Sequence, residues 1–438
     1  MASYPAIIRR WWWLLGFAGF VLVLLFVFGN NSDDYDISVL QNMPDMQSPN
    51  KKEPSESSHL FPNSELKPCM PLNLTYTEKP ATSSSSSSDP LSAGLKNAEP
   101  SNNFDNVKPI KIEERCNVFE GKWVYDPKES PLYDSAMCPF LSDRASCQGN
   151  GRQDKEYERW RWEVNECKIP RFDAKDLLER LRGKRVVLVG DSIGFGQWES
   201  LACLLHSAIP HESQVDVRNR IFTSKSYNLM VESLWAEFLV EVLLNKTSGT
   251  KILNLDALSP AVSKSKGADI IVFNTGHWWM NRQRWDWFLF KQKLYTDMKL
   301  DRAFKLAMRT WGRWIEKNVD TSRTTVFFRG MSPSHSGRQK CYRATKPIKN
   351  DETLKLKKSE SIIKGIVERT IRGMRRPVRY LNITRLTELR KDAHSSIYWK
   401  KKQFKAGPDC SHWCLPGVPD TWNHLLYATL AFDASWGT

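Results

Sequence analysis

The chain has 438 residues, with 64 Lys and Arg against 49 Asp and Glu and a formal net charge of +15. This length allows one large globular domain of about 300 residues plus accessory segments, and the charge favours an anionic partner such as an acidic polymer or a membrane surface. Nucleic acid is not predicted as the partner, because the sequence has neither zinc-finger spacing nor an RNP-type motif.

An uncharged apolar run occupies residues 11–28, and its length fits a helix that crosses a bilayer. Arg9 and Arg10 precede the run and aspartates follow it, so the positive-inside rule predicts residues 1–10 in the cytosol and the rest of the chain across the membrane. A cleaved signal peptide is the alternative, but its apolar core is shorter and ends in small residues, whereas this run ends at Phe28. The sequence therefore predicts a single-pass, type II signal anchor.

Residues 29–114 have the composition of a flexible stem. They are rich in Ser, Pro, Asn and Lys, include a run of serines at residues 83–88, and show no sustained apolar period. Such a stem holds a folded domain away from the bilayer. A linker with no functional role would have the same composition.

Eight of the nine cysteines follow the stem, in the part predicted to lie in an oxidising lumen, and they predict four disulfides: Cys116, Cys138, Cys147, Cys167, Cys203, Cys341, Cys410 and Cys414. The pairing stays open, since eight cysteines allow about 105 connectivities. No metal site is predicted, because the chain has no C-x-x-C pair. Cys69, in the stem, is the odd cysteine. Four N-x-S/T sequons are compatible with a secretory route: Asn30, Asn73, Asn245 and Asn382.

Residues 115–168 combine four of these cysteines with many aromatic residues, which predicts a small disulfide-braced subdomain packed on the main domain. In residues 169–438, helical and strand patterns then alternate. Helices are predicted at residues 174–182, 194–206, 302–317 and 354–372, and strands at residues 185–189, 269–274 and 324–328. This alternation predicts an α/β fold with a largely parallel sheet.

Residues 186–192 read VVLVGDS, a buried strand that ends in Gly190, Asp191 and Ser192 before an amphipathic helix. At the carboxyl end of a parallel strand, a side chain meets the ligand crevice, and the next helix supplies N–H groups that can bind an oxyanion. The alternative is an ordinary helix N-cap, a role that Asp and Ser both favour. Ser192 is the candidate nucleophile.

A serine nucleophile needs a general base. His412 stands three residues after Asp409, so one local turn brings the carboxylate beside the imidazole, and the cysteines on either side are available to clamp that turn. We interpret the rival histidines as structural residues, although each also lies near an aspartate: His394 after Asp392, and His424 after Asp420.

Gly-Asp-Ser on the first strand and Asp-x-x-His near the C-terminus resemble the two ends of an SGNH-type esterase fold. Four longer blocks are similar to the plant trichome birefringence-like family: GDSIGFGQWESLACLL at 190–205, FNTGHWW at 273–279, VFFRGMSPSH at 326–335 and DCSHWCLPGVPDTWN at 409–423. Residues 116–201 are also similar to the cysteine-rich N-terminal region of that family. The resemblance implies an SGNH-like three-layer α/β/α domain, preceded by the cysteine-rich subdomain.

The same resemblance implies a polysaccharide O-acetyltransferase of the Golgi lumen that acts on a plant cell wall. It implies Ser192 as nucleophile, His412 as general base, Asp409 as the residue that orients the base, and an acetyl-serine intermediate. The oxyanion would be held by the Ser192 backbone N–H and the Asn274 amide. An unidentified acetyl donor is a co-substrate; no bound cofactor is predicted, because no glycine motif cradles a phosphate.

The chain departs from the family pattern just after Gly-Asp-Ser. Phe195 and Gly196 stand where the family usually carries Arg followed by Asn or Thr, which puts donor use, specificity or turnover in question. Two alternatives therefore stay open: an esterase that removes acetyl groups, and a weakly active carbohydrate-binding member that assists wall assembly. The basic residues between 338 and 358, together with Arg372, Arg375 and Arg376, form either a groove for an acidic acceptor or a solvated face.

Overall fold

The computed structural model describes residues 116–336, 341–349, 356–400 and 407–432. The predicted anchor and stem, with Cys69, Asn30 and Asn73, lie outside these residues. Within the described part of the chain, no helix is both long enough and apolar enough to cross a membrane.

Strands and helices alternate along the described residues. The strands are β1 (Gly121–Tyr125), β2 (Trp160–Val164), β3 (Arg185–Gly190), β4 (Ser213–Asp216), β5 (Ile221–Ser224), β6 (Leu229–Trp235), β7 (Val240–Leu244), β8 (Lys251–Leu258), β9 (Ile270–Phe273), β10 (Trp287–Phe290), β11 (Lys293–Tyr295), β12 (Thr325–Arg329), β13 (Arg379–Leu381), β14 (His394–Ser396) and β15 (Asp409–Trp413). The helices are α1 (Ala174–Arg180), α2 (Ser192–Ala208), α3 (Pro260–Lys264), α4 (His277–Met280), α5 (Leu300–Asn318), α6 (Lys358–Arg372), α7 (Thr384–Glu388) and α8 (Val418–Ala431).

The main sheet has seven strands in the order β13-β12-β9-β3-β6-β5-β4. Its first five strands are parallel and its last two are antiparallel additions at one edge, so the predicted parallel sheet is present. β3 lies at the centre. Its side chains alternate between the two faces: Val186 and Leu188 enter one core, while Val187 and Val189 enter the other. Burial on both faces explains why this strand is continuously apolar.

The two cores give the domain its layers. One face of the sheet packs against α1, α2 and α8, and the other against α3, α5 and α6. A second, four-stranded sheet, β11-β10-β8-β7, joins the latter face, and the sequence patterns did not predict it. Helix α6 begins at Lys358, so the prediction of helix for residues 356 and 357 was wrong. The Glu360 carboxylate accepts a hydrogen bond from the Lys357 backbone N–H at 3.1 Å, which caps the helix there.

The segment before the main domain folds around the antiparallel pair β1 and β2, in which Trp123 lies opposite Trp162. Four disulfides confirm the predicted number: Cys116–Cys167, Cys138–Cys203, Cys147–Cys414 and Cys341–Cys410. The first closes the subdomain, and the next two fasten it to α2 and to the residue after β15. The Trp123 indole also donates a hydrogen bond to the Leu386 carbonyl at 2.8 Å. The subdomain is therefore fixed to the main domain, as predicted.

We expect the loss of the Cys147–Cys414 disulfide to destabilise the fold more than the loss of Cys116–Cys167. The first pair joins residues 267 apart and the second joins residues 51 apart. Loop-closure entropy therefore predicts a stability loss of about 2–5 kcal/mol for the paired Cys→Ala variant of the first bridge, and roughly 1.5 kcal/mol less for that of the second. Guanidinium unfolding of the two variants checks this order, and the reverse order would contradict it.

Candidate active site

The turn from β3 into α2 presents Ser192. Asp191 is the N-cap of α2, because its Oδ1 accepts hydrogen bonds from the backbone N–H groups of Ile193 at 3.0 Å and Gly194 at 3.3 Å. Ser192 is the first helical residue, and its hydroxyl is not needed for the cap. The Gly-Asp-Ser motif thus contains both features that its sequence allowed: an N-cap at Asp191 and an available hydroxyl at Ser192.

The structure brings Ser192, His412 and Asp409 together in one hydrogen-bonded chain. Nε2 of His412 lies 2.7 Å from the Ser192 Oγ, and Nδ1 of His412 lies 2.8 Å from Oδ2 of Asp409. Because the carboxylate only accepts hydrogen bonds, Nδ1 carries the proton and Nε2 offers its lone pair to the serine hydroxyl. A proton can therefore pass from Ser192 to His412 while Asp409 holds the ring.

Asp409 and His412 lie on a strand, whereas the sequence predicted a simple turn. The β14–β15 pairing is irregular, since His394 pairs with Trp413 and Ser396 with Asp409. Two steps along β14 thus face four steps along β15, and this bulge lets Asp409 and His412 point to the same side. Oδ1 of Asp409 also accepts the backbone N–H of His412 at 3.1 Å, which closes the local turn.

The surroundings of Asp409 keep it ionised. Burial raises the pKa of this carboxyl, but the hydrogen bond from the His412 ring, the charge of that ring and the N–H groups of His412 and Ser411 outweigh burial and lower the pKa below its usual range. A stable carboxylate is what an imidazolium at position 412 requires during proton transfer.

Two disulfides and a buried histidine hold the segment around His412 in place. Cys410 is bonded to Cys341 and Cys414 to Cys147, so each side of His412 is tied to a distant segment. The ring of the rival His394 is fully buried and donates from Nδ1 to the His412 carbonyl at 2.8 Å. Burial holds the pKa of His394 well below its ordinary value, so the ring is neutral and structural.

The other rival, His424, lies away from the serine. Its Nε2 contacts the carbonyl of Pro170 at 2.7 Å, and burial lowers its pKa. Neither rival contacts Ser192.

Asn274 lies at the end of β9 and contacts the β3–α2 turn. Its backbone N–H donates to the Val189 carbonyl at 3.0 Å, and its side-chain Nδ2 donates to Oδ1 of Asp191 at 2.7 Å. The amide occupies the space beside Gly190 and Gly194, where a Cβ atom would lie 2.0 Å from its Oδ1. One of the two Nδ2 hydrogens is thus used on Asp191, and the second is available to another acceptor.

A methyl group at position 194 would collide with Asn274. By contrast, a Cβ at Gly196, in the same helix, meets no heavy atom within 4 Å. We expect Gly194→Ala to displace the Asn274 amide and cost about 1–3 kcal/mol of stability, whereas Gly196→Ala should unfold at or above the wild-type temperature because alanine favours helix. Thermal unfolding followed by circular dichroism checks both variants, and equal unfolding temperatures would contradict the contact.

Arg144, from the cysteine-rich subdomain, also lies at this site, although the sequence patterns did not predict it. Its Nη1 lies 3.2 Å from Nε2 of His412, and its Nε lies 3.4 Å from Oδ2 of Asp409. Its only sequence signal is its place three residues before Cys147, whose disulfide to Cys414 carries the subdomain to the site. The Arg144 guanidinium therefore lies beside His412 and Asp409.

Arg329, at the end of β12, was also missed. It is only 1% exposed and lies over the Trp422 ring at 4.8 Å. Burial lowers its pKa to about 10, and the negative charge of Asp191 opposes that change. Arg329 thus places a buried positive charge near the carboxylate that caps α2.

The cleft opens on two sides of Ser192. One cavity, of about 360 Å³, is lined by Phe195, Glu199 and Trp399, and another, of about 510 Å³, by Trp278, Arg284 and Lys357. Both include Arg144, Ser192, Ile193 and His412 in their walls. Two separate cavities therefore meet at the same serine.

Phe195, which departs from the family pattern, forms part of the first cavity. Its ring stacks on Trp198 with 5.5 Å between ring centroids, and the Arg220 guanidinium lies 4.9 Å from the Phe195 ring centre. An arginine from the β4–β5 turn therefore lies beside the position where the family carries one. Nearby, burial raises the pKa of Glu199 to about 7.

Most tryptophans in the blocks at 190–205, 273–279 and 409–423 are core residues. Trp198, Trp279 and Trp422 are fully buried, while Trp278 lines the second cavity.

The predicted basic cluster comprises residues 338–358 with Arg372, Arg375 and Arg376, and its residues 338–340 and 350–355 lie outside the described part of the chain. The described members are divided between two places. Lys357 lines the second cavity, whereas Arg375 and Arg376 follow the far end of α6 and contact Glu316.

Comparisons with known proteins match both parts of the described chain. Residues 169–429 match PC-Esterase, the GDSL/SGNH-like acyl-esterase family found in Pmr5 and Cas1p, and residues 114–168 match the PMR5 N-terminal domain. The chain is 42% identical over 355 residues to Protein trichome birefringence-like 6 of Arabidopsis thaliana. The aligned residues cover 76% of this chain and 74% of that protein.

A second relative from the same plant, Protein trichome birefringence-like 42, is 40% identical over 335 residues, covering 72% of this chain and 89% of that protein. Xylan O-acetyltransferase 6 of Oryza sativa subsp. japonica is 37% identical over 362 residues, covering 75% of this chain and 65% of that protein.

Proposed function

Because this chain belongs to the PC-esterase family and, within it, to the trichome birefringence-like proteins, we propose that it is an O-acetyltransferase that acetylates a plant cell-wall polysaccharide. One observation carries the catalytic part of the proposal: Ser192, His412 and Asp409 form a hydrogen-bonded chain at the meeting point of two cavities. A serine with a positioned base suits acyl transfer by way of a covalent intermediate.

In the first half-reaction, His412 takes the proton from the Ser192 hydroxyl while Oγ forms a bond to the carbonyl carbon of the acetyl donor. The resulting oxyanion is stabilised by the Ser192 backbone N–H and by the second Nδ2 hydrogen of Asn274. When the tetrahedral intermediate collapses, the bond to the donor's leaving group breaks, and His412 returns its proton to that group. Ser192 is then acetylated.

In the second half-reaction, a sugar hydroxyl replaces the leaving group. His412 takes its proton, the sugar oxygen bonds to the acetyl carbon, and the Ser192 oxygen leaves and recovers the proton. The two-sided cleft supports this sequence, since a donor and a polymer can occupy different cavities. Arg144, beside both Asp409 and His412, is placed to restrict how the second substrate approaches the base.

We also propose a Golgi location with the folded domain in the lumen, anchored by residues 11–28. The apolar run and the arginines before it support this orientation. Four disulfides in the described residues support folding in an oxidising compartment. Protease protection of sealed Golgi vesicles tests the orientation: the domain is expected to be digested only after detergent is added.

The activity is tested by incubating the purified full-length chain with an acetyl donor and deacetylated xylan, mannan, xyloglucan or pectin. Mass spectrometry then follows acetyl groups on both the polymer and the Ser192 peptide. Acetylated polymer together with acetylated Ser192 is the expected result. Release of acetate from acetylated polymers without transfer would replace the proposal with the esterase, and binding without either reaction would replace it with a binding protein.

A further inference from the structure

Helix α5 carries a stripe of positive charge outside the active-site cleft. Arg302, Lys305, Arg309 and Arg313 are all exposed, and their spacing of three, four and four residues places them on one face of the helix. The opposite face of α5 is buried in the core through Phe304, Trp311 and other apolar residues. The stripe therefore runs along the outer surface for most of the helix.

Helix α6 forms the second wall of a groove along this stripe. Two cavities of about 530 and 620 Å³ lie between the helices, and Lys358 and Arg369 of α6 line them together with the α5 cations. Small residues line the bottom of the groove, where Gly312 of α5 faces Thr370 of α6. The groove thus has cations on both walls and two cavities along its length.

The charge of this groove is poorly balanced. Six cations line it against two carboxylates, Asp301 and Glu316, and Glu316 is already engaged by the backbone N–H of Arg375 at 2.9 Å. In the described part of the chain, Lys305, Arg309, Arg313 and Arg369 form no ion pair within 4.0 Å. Like charges four residues apart destabilise a helix. An external anion would therefore reduce the repulsion among the α5 cations, which no carboxylate of the described chain neutralises by an ion pair.

The groove and the active-site cleft are both lined by residues from the first turn of α6. Lys357 and Glu360, at the start of α6, line the cavity beside Ser192. Lys358 and Ser361 line the groove cavity of about 620 Å³. From there α6 continues for 15 residues, about 22 Å at 1.5 Å per residue. A linear chain whose reacting sugar lies at Ser192 can therefore continue along the groove.

We propose that the groove between α5 and α6 binds a carboxylate-bearing polysaccharide, an acidic polymer of uronate sugars, and guides it into the cleft. Guanidinium groups match carboxylates in geometry and charge, and repeated carboxylates along a polymer fit cations repeated along a helix. A groove with two walls fits a linear chain better than it fits a flat anionic surface such as a membrane. The inference rests on the proposed function, and it names the acceptor class as acidic.

The test is the binding of polygalacturonate to the full-length chain with Ser192→Ala, which excludes any contribution from turnover. We expect Arg309→Gln with Arg313→Gln to weaken binding roughly 25-fold at low salt, since each unit charge pair at contact distance contributes about fivefold in water. Added salt should reduce the difference. The control, Lys175→Gln with Lys225→Gln, removes two exposed charges elsewhere and should leave the Kd unchanged.

The outcomes separate this inference from the proposed function. Equal losses in both double variants, or a greater loss of neutral xylan binding, would overturn the groove even where acetyl transfer is observed. A groove-specific loss of polygalacturonate binding would support it even where transfer fails. Vesicles of phosphatidylserine and phosphatidylcholine complete the test: if the groove variant weakens vesicle binding and leaves polygalacturonate binding intact, the groove faces a membrane and the inference is wrong.

Discussion

Ser192→Ala is expected to abolish acetyl transfer and leave the fold intact. The Ser192 hydroxyl contributes no hydrogen bond to the helix cap, because Asp191 supplies it, so alanine removes only the nucleophile and its contact with His412. We expect the rate to fall roughly 10⁴–10⁶-fold, the range found when a serine nucleophile is removed from a triad. Initial rates of polymer acetylation measure the effect.

The matched control is Ser207→Ala, at the exposed far end of the same helix. Its hydroxyl donates only to the Leu204 carbonyl at 2.8 Å, so both rate and unfolding temperature should stay close to wild type. A Ser192→Ala variant that retains transfer within about tenfold of wild type would exclude the acetyl-serine route, since a missing nucleophile costs far more.

Asp409→Asn is expected to give the second-largest loss, about 10⁴-fold in turnover. Oδ1 of Asp409 holds the backbone N–H groups of Ser411 and His412, and an asparagine oxygen can keep both contacts. The new NH₂ group then faces Nδ1 of His412 and must donate to it. The imidazole proton moves to Nε2, where the ring can no longer accept the proton of Ser192.

Asp409 could orient the His412 ring or could mainly stabilise the fold, and the variant distinguishes these two roles. Rates of transfer and thermal unfolding are measured on the same preparation. The expected result is a large loss of turnover with the fold preserved and with KM close to wild type, because the Asp409 carboxylate is already engaged by His412, Ser411 and Arg144. A parallel fall in stability and turnover would instead assign Asp409 a mainly structural role.

The departure at Phe195 and Gly196 affects the first cavity more than the hydrogen-bonded chain of Ser192, His412 and Asp409. Phe195 stacks on Trp198, whereas the hydrogen-bonded chain joins Ser192, His412 and Asp409. Its ring and the buried Glu199 carboxyl, whose pKa burial raises to about 7, give that cavity one apolar surface and one titratable group. We therefore expect Phe195 and Gly196 to affect which substrate the first cavity accepts. The hydrogen bond between Ser192 and His412 is present despite them.

The sequence by itself determined the features that depend on near neighbours along the chain. A continuous apolar run predicts a strand buried on both faces, and β3 is such a strand. Gly-Asp-Ser predicts a turn into a helix because Asp caps it, and an aspartate three residues before a histidine predicts their contact. The number of disulfides follows from eight cysteines. The predicted membership of the trichome birefringence-like family is confirmed.

Only the tertiary structure decided which distant residues meet. His394 and His412 lie on paired strands, and the bulge in β15 directs one toward Ser192 and the other into the core. The disulfide pairing, the approach of Arg144 and the position of Asn274 all join segments far apart in sequence. The α5–α6 groove depends on how two helices pack. These contacts form when apolar faces are buried together, a condition that no local pattern of residues contains.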